Sequence, residues 1–381
     1  MAPSLANPRP ANPPVLLSPQ TDRHHWNNNA VNPQTLNELY GQLKRRPRRH
    51  CFYPTSAPVM SSTFETLLAQ ESAMASPVYD KSGVLYVTSP ETGEIIKIDI
   101  SGDAGNIRAS PSTFGFTDGF PLGIVFDSTG ALFCVDCSHK ALLSRPTDEK
   151  VFRILASSCE NRPFLGPNAL ACDSAGNVFF LDGGADGETG IDRPRGSLYQ
   201  VSIATMALRP VLNQCLASPS ALAVSKDGSV LYVAEAALNR VLRLLRRPDG
   251  AYVSTVFVQL AGGVGPSALA LDDHGRLYVC CSEMPGVDGS QVRDAVLPLL
   301  PRSLCLTHIT PLPRSLSASP ISPQGTLSIF DKRAKSLADV VLPGPQISGC
   351  VIRDGVVTIS ESSRKTLYRA AIASVLPGSG K

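Results

Sequence analysis

Between Ser218 and Leu244 three mainly apolar runs are separated by polar turns, in the manner of three short β-strands in series. The first run, SALAV, is apolar with small side chains. The second, VLYVAE, is rich in Val, Leu and Tyr, which suit a pleated, half-buried strand. Asp227-Gly228 between them tolerates the positive φ of a tight hairpin turn. The third run, RVLRL, follows after a short connection, so the stretch predicts a sheet of consecutive strands.

The same pattern occurs in six copies from about residue 72 onward. Copies starting at 121, 167, 219 and 266 give repeats of 46 to 52 residues, close to the roughly 40–50 residues of a four-stranded propeller blade. Between copies lies a further strand-like run, such as VFRILAS at 151–157, which supplies the fourth strand. We therefore predict an all-β, six-bladed β-propeller over residues 56–373, closed by a strand from about residues 56–72.

Two copies carry an insertion between the second and third strands. Residues 183–195 form the one in blade three, and the proline-rich segment 284–324 forms the one in blade five. Strands within a blade are antiparallel, so both insertions are predicted on the face where the first strands begin, over one mouth of the central channel. Binding residues often lie on such loops.

The segments that flank the repeats have a different composition. Residues 1–55 are predicted to be a disordered, proline-rich leader with a basic run at Lys44–His50, and 374–381 a short C-terminal tail. The basic run is either a solvated tail, a docking patch or an organelle address. No apolar run reaches the roughly 18 residues of a membrane helix, and no secretory signal is recognised. We expect a cytoplasmic protein with reduced cysteines, and organellar targeting by the leader stays open.

The overall charge is nearly balanced. A formal net charge of +3 over 381 residues gives no reason to expect nucleic-acid binding. We expect a monomer without a membrane span, whose partner is a small-molecule ligand or another protein.

The sequence frames of blades three to six resemble a known family. They read GPNALACDSAGNVFFLDGG, SPSALAVSKDGSVLYVAEAALNRV and GPSALALDDHGRLYV, with a closing GTLSIFD and SSRKTLYRA. They are similar to the senescence marker protein (regucalcin)/gluconolactonase family, which is related to strictosidine-synthase-like propellers. The resemblance covers roughly residues 70–372 without the blade-five insertion. It implies lactone or ester hydrolysis with one divalent cation, calcium or zinc, at the channel mouth.

The same resemblance implies where a cation would be held. The family's four ligands, a Glu, two Asn and an Asp, fall on Ala75, Asn168, Ser220 and Ser267, so only Asn168 is retained. Calcium prefers six to eight oxygens with carboxylate charge, which indicates a degenerate metal site. We take Asn168, Ser220, Ser267 and Asp182 as candidate ligand-binding residues and assign no catalytic residue. The alternative is a polar funnel around ordered water.

A second set of residues ends the second strands of the six copies. Its members are Ser89, Asp136, Asp182, Glu235, Cys281 and Glu361. They would form either a displaced cation site or a set of loop caps and ion pairs with arginines such as Arg240 and Arg364. His139 and His308 are the histidines placed to reach the mouth. Two functions remain open, namely a divergent lactone or ester hydrolase and a non-catalytic propeller scaffold for protein–protein interaction.

Overall fold

Six four-stranded antiparallel sheets, one for each sequence copy, form a six-bladed β-propeller. The computed structural model describes residues 64–102, 106–184, 188–261, 263–283 and 324–376, all within the unit Pro54–Lys381. The predicted leader (1–55) and nearly all of the predicted insertion 284–324 lie outside these residues. Within the described ranges, no helix is long and apolar enough to cross a membrane.

The strands follow one another in chain order. They are β1 Glu65–Ala69; in blade one β2 Ala75–Tyr79, β3 Leu85–Ser89, β4 Glu94–Ser101 and β5 Arg108–Phe116; in blade two β6 Pro121–Phe126, β7 Leu132–Asp136, β8 Ala141–Arg145 and β9 Arg153–Ala156; then a small hairpin, β10 Ser158–Cys159 and β11 Arg162–Pro163. Blade three has β12 Pro167–Cys172, β13 Asn177–Asp182, β14 Gly196–Ser202 and β15 Ala207–Leu216; blade four β16 Pro219–Val224, β17 Val230–Glu235, β18 Arg240–Arg246 and β19 Tyr252–Gln259; blade five β20 Pro266–Leu271, β21 Leu277–Cys281, β22 Thr326–Phe330 and β23 Ser336–Val341; blade six β24 Ile347–Arg353, β25 Val356–Glu361 and β26 Thr366–Ala371.

The ring is closed by its first strand. Blade six contains three strands from the end of the chain, and β1 adds the fourth by pairing antiparallel with β26, with Glu65 opposite Arg369. The side chain of Leu67 is buried with Met74 and Leu85 of blade one, so the closing strand also contacts the next sheet. The predicted closure by a strand from about residues 56–72 is confirmed.

Neighbouring blades are held together by apolar side chains from several strands of each sheet. Between blades four and five, Tyr232 and Phe257 share one buried cluster with Val279 and Phe330. The rings of Phe257 and Phe330 lie 6.3 Å apart at 81°, an edge-to-face contact. Each fully buried large side chain of this kind contributes roughly 1.5–3 kcal/mol. Because the blades share these clusters, the sheets support one another around the ring.

The turn after the first strand explains why the copies share an Asp-x-x-Gly frame. Asp127 Oδ1 accepts hydrogen bonds from the N–H groups of Thr129 and Ala131 at 2.8 and 2.9 Å, and Asp173 makes the equivalent pair. Gly130 has a φ of 90°, which residues with a side chain rarely adopt. The carboxylate and the glycine therefore fix the hairpin locally, blade after blade.

Two elements were not predicted. One is the hairpin β10–β11 between blades two and three, and the other is the one-turn helix α1 (Ile372–Val375). The predicted end of the propeller at residue 373 falls inside α1, and buried side chains continue through Val375 to Leu376. Both elements are too short to produce a recognisable periodicity.

Candidate functional site

The six innermost strands surround a central channel with a cavity of about 270 Å³. Asn168, Ser220 and Ser267 line this cavity together. Each is the second residue of its strand and lies at an irregularity in the pairing with the next strand. Among the described residues, those lining the cavity include no Asp, Glu, Lys, Arg or His. The polar side chains that line the channel are therefore uncharged: an amide, serine hydroxyls and the thiols of Cys172 and Cys350.

Hydrogen bonds join these side chains to the neighbouring blade. Asn168 Nδ2 donates to the carbonyl of Pro219 at 2.7 Å, and Ser220 Oγ donates to the carbonyl of Pro266 at 2.6 Å. In both cases the acceptor is the first residue of the next blade's innermost strand. The polar residues thus link adjacent blades while they line the channel.

Blades five and six continue this arrangement with serines. Ser282 Oγ donates to Ser267 Oγ at 2.9 Å and accepts from the N–H group of Ile347 at 3.1 Å. Ser348 Oγ donates to the carbonyl of Met74 at 2.7 Å and also lines the cavity. Sequence reasoning missed Ser348, although ISGC in blade six places a serine where PSAL does in blades four and five.

One polar atom of the Asn168 side chain makes no hydrogen bond within the described residues. This atom is Oδ1, and it is buried. The amide fits because Gly183 has no side chain: a Cβ there would lie 2.7 Å from Asn168 Nδ2 and 2.9 Å from the carbonyl of Pro219. An unpaired buried acceptor is costly unless a ligand or water supplies a donor, so Asn168 is the best-placed polar group in the channel.

Replacement of Gly183 should therefore disturb the channel. We expect Gly183→Ala to lower the free energy of unfolding by about 1–3 kcal/mol, because the new methyl displaces the Asn168 amide. Gly190→Ala, in the same insertion, meets only Asp192 Oδ1 at 3.2 Å and should stay within about 0.5 kcal/mol of the parent. Urea unfolding of both variants measures the difference, and equal losses would contradict the close contact at Gly183.

The other predicted ligand position, Ala75, has no ligand atom in its side chain. It is buried at the start of β2, with 6% of its surface exposed. Its methyl group occupies the place that the family resemblance assigns to a carboxylate.

All six residues of the second set end a second strand and are buried. Their four carboxylates accept hydrogen bonds from N–H groups of the loop that leads into their own blade. The bonds are Phe120 N to Asp136 Oδ1 at 3.1 Å, Gly166 N to Asp182 Oδ1 at 2.8 Å, Ala217 N to Glu235 Oε1 at 2.9 Å and Gln346 N to Glu361 Oε1 at 2.8 Å. Glu235 also pairs with Arg240 Nε at 2.7 Å. This is the geometry of loop caps.

Asp182 lies beside the channel without lining its cavity. Its Oδ2 accepts a second bond, from the N–H group of Leu165 at 3.0 Å. Burial raises the pKa of Asp182 above its ordinary value, although the N–H groups of Gly166 and Leu165 act in the opposite direction; the Glu188 carboxylate raises it further. Both carboxylate oxygens are thus engaged with the incoming loop of blade three.

This donor set does not fit the divalent cation that the family resemblance implies. The Ser220 hydroxyl donates to a backbone carbonyl, and the nearby carboxylates are occupied by backbone N–H groups. No group of three or more His, Cys, Asp or Glu placed to hold a metal ion occurs within the described ranges. Calcium takes six to eight oxygens, usually with carboxylate charge, and these residues do not supply such a set.

One histidine lies on the mouth face with a buried partner. His139 Nδ1 is 3.0 Å from Asp136 Oδ1; the carboxylate is fully buried and the imidazole one-third exposed. Thr117 Oγ1 donates to Asp136 Oδ2 at 2.8 Å, which holds the carboxylate in place. Of the other histidines considered, His308 lies outside the described residues. A buried carboxylate that orients an exposed imidazole is a common arrangement for a general base.

Two curated relatives match part of the chain. Lactonase drp35 of Staphylococcus haemolyticus is 24% identical over 220 residues, 53% of this chain and 61% of that protein. Diisopropyl-fluorophosphatase of Loligo vulgaris is 28% identical over 129 residues, 32% of this chain and 41% of that enzyme. The chain therefore spans less than two thirds of the length of these relatives.

Solved structures share the architecture. A gluconolactonase from Xanthomonas campestris superimposes with a TM-score of 0.58 at 17% identity, over 81% of this chain and 89% of that one. Regucalcin from Agrobacterium tumefaciens, described as a calcium-binding protein, gives a TM-score of 0.57 at 15% identity, over 83% of this chain and 95% of that one. At these identities the similarity establishes the fold alone.

The family is established by a match to a sequence model. The model of the SMP-30/Gluconolactonase/LRE-like region matches residues 75–297, which is more than half of the chain. The match begins at the first residue of β2 and extends past the second strand of blade five. Together with the curated lactonase relative, it shows that the chain belongs to the SMP-30/gluconolactonase/LRE-like family, a family of lactone-hydrolase type.

Proposed function

We propose that the chain binds an uncharged lactone or small ester at the mouth of the central channel and does so without a divalent cation. The observation that supports this is the chemistry of the channel: its polar side chains are the Asn168 amide, serine hydroxyls and two thiols, and the described lining carries no charge. A neutral ligand with hydrogen-bonding oxygens matches such a lining, whereas a cation would lack compensating carboxylates.

Asn168 would make the most specific contact. Its Nδ2 is held by Pro219, so its orphaned Oδ1 is the acceptor for a ligand hydroxyl. The hydroxyls of Ser220 and Ser267 have acceptor lone pairs left after donating. A cavity of about 270 Å³ lies just below the roughly 300–1,000 Å³ of drug-sized ligand sites, so the ligand is small.

Hydrolysis would use the His139–Asp136 pair. Neutral His139 Nε2 accepts a proton from water as the water oxygen attacks the lactone carbonyl, and Asp136 stabilises the imidazolium formed. Collapse of the tetrahedral intermediate breaks the ring C–O bond, and the proton returns to the leaving alkoxide. The products are a carboxylic acid and an alcohol in one opened chain.

Hydrolysis of glucono-1,5-lactone and phenyl acetate tests this function. We expect activity that withstands a chelator, because no step uses a cation, and a loss of about 100-fold or more in kcat for His139→Gln. His274→Gln is the matched control. His274 lies in the turn after β20, on the face of the propeller away from the channel mouth, so this variant should keep full activity. Activity lost with chelator, or equal rates for both variants, would contradict the proposal.

Measuring thermal stability during a calcium titration tests separately whether the chain binds a divalent cation. The parent chain should show no rise in Tm at millimolar calcium, whereas A75E/S220N/S267D, which restores the family's ligands, should gain a calcium-dependent rise, because a ligand bound to the native state stabilises it. Each protein in chelator alone is its own reference. A rise in the parent chain would show that a cation site exists after all.

A further inference from the structure

A second cavity lies between blades one and two. It is near the ends of their first strands, whereas Asn168 lies near the start of a first strand, so the two are on opposite faces of the propeller. The second cavity has a volume of about 270 Å³ and lies beside the turns that follow β2 and β6. Three aromatic rings form part of its wall: Tyr86 is 4.9 Å from Phe114 and 4.8 Å from Phe126, measured between ring centroids. Threonine and serine hydroxyls, including that of Thr147, lie among its lining residues.

Arg145 lines this cavity and is buried, with 8% of its surface exposed. Its Cζ lies 3.7 Å from the centroid of Phe114, so the guanidinium stacks on the ring. Nη1 donates to the carbonyl of Phe114 at 3.2 Å. Across the described ranges, no carboxylate lies within ion-pair distance of Arg145, and Nε and Nη2 make no hydrogen bond.

Two other shielded arginines, Arg276 and Arg240, differ in this respect, whereas Arg243 also has no carboxylate partner among the residues that the structure describes. Arg276, with a side chain 17% exposed, pairs with Asp272 at 2.5 Å, and Arg240 pairs with Glu235. Burying a guanidinium without a carboxylate is costly, because the lost hydration is not replaced. The planar fork of unused N–H donors matches the two oxygens of a carboxylate.

The charges around the cavity indicate a ligand with a single negative charge. Asp80 is also a lining residue, but its Oδ1 accepts three hydrogen bonds from Ser82 and Val84 of its own turn. Burial raises the pKa of Asp80, but these hydrogen bonds outweigh it and hold the pKa below its ordinary value. Lys81 and Arg145 supply two positive charges, so the lining carries one net positive charge.

We propose that this cleft binds a compact monocarboxylate with an aromatic or branched apolar body. The carboxylate takes the unused donors of Arg145, and the body packs against Tyr86 and Phe126. The site is independent of the channel, because it opens on the other face of the propeller and shares no lining residue with it.

Calorimetric titration with benzoate, benzamide and inorganic phosphate tests the site. Benzamide has the same ring without the charge, so we expect benzoate to bind the full chain at least about tenfold more tightly. Phosphate, which carries more charge and no apolar body, should bind more weakly than benzoate. Equal affinity for benzoate and benzamide, tighter binding of phosphate, or no benzoate binding on the order of 10 mM would overturn the proposal.

Two variants locate the binding. Arg145→Met keeps the length of the side chain and removes the charge, and should weaken benzoate binding by about tenfold or more. Thr147→Trp fills the cavity from an exposed lining position, so it should also block benzoate while the Tm stays near that of the parent. If Arg145→Met does not fold, the benzoate affinity of Thr147→Trp alone shows whether benzoate binds in this cavity. Unchanged benzoate affinity in a folded variant of either kind places the binding elsewhere.

Discussion

Leu67→Asp is expected to lower the free energy of unfolding by at least about 3 kcal/mol. Leu67 belongs to the closing strand β1, where it is 9% exposed and packs among residues of blade one. A carboxylate at this position would lose its hydration without gaining a partner, and the strand would detach from β26. Urea unfolding followed by circular dichroism measures the loss.

The control lies one residue away. Thr66 is on the exposed side of the same strand, opposite Tyr368, so Thr66→Asp introduces the same charge without burial. We expect it to change stability by less than about 0.5 kcal/mol. Similar losses for the two variants would show that any added carboxylate destabilises β1, rather than that Leu67 carries the closure.

Glu235→Ala is expected to cost about 3 kcal/mol. Its side chain is fully buried, accepts from the N–H group of Ala217 at 2.9 Å and pairs with Arg240, whose side chain is 29% exposed. Removal leaves a buried N–H group and a shielded guanidinium unpaired. Glu235→Gln retains an acceptor for Ala217 and should lose less than Glu235→Ala.

A second ion pair provides the comparison. Lys226 and Asp273 lie 2.8 Å apart with side chains 82% and 78% exposed, so Asp273→Ala should cost less than about 1 kcal/mol. Urea unfolding of the three variants under one set of conditions gives the ranking. If Glu235→Ala is no worse than Asp273→Ala, the buried carboxylates do not hold the incoming loops.

The blade architecture could be predicted because its signals are local. Asp127 and Gly130 fix a turn through hydrogen bonds within five residues, and the same frame recurs in other copies, so sequence alone indicates both the hairpin and the repeat. The positions of both insertions, after Asp182 and after Cys281, follow from the same register. The short hairpin β10–β11 has no such recurring frame and was missed.

The sites were harder to predict because side-chain partners come from distant parts of the chain. The repeat position of Glu235, at the end of a second strand, places it at the mouth, but only the path of the loop before β16 shows that its oxygens are occupied by Ala217 and Arg240. Ser220 was recognised through its repeat position, yet its bond to Pro266 depends on how blades four and five approach. The second cavity combines Arg145 with Tyr86, which lies in a different blade. No sequence spacing encodes that both line one cavity.

Closure by β1 also bears on how the chain acquires its structure during synthesis. Glu65 pairs with Arg369, about 300 residues later, so the ring cannot form until β26 has left the ribosome. Until then blade one lacks its neighbour, blade six, and the apolar side chains of blade one that pack against blade six remain accessible. Joining such remote segments is slow, because chain entropy must be lost before the pairing is gained. A nascent chain halted before β26 would therefore be a natural client for a chaperone that covers exposed sheet surfaces.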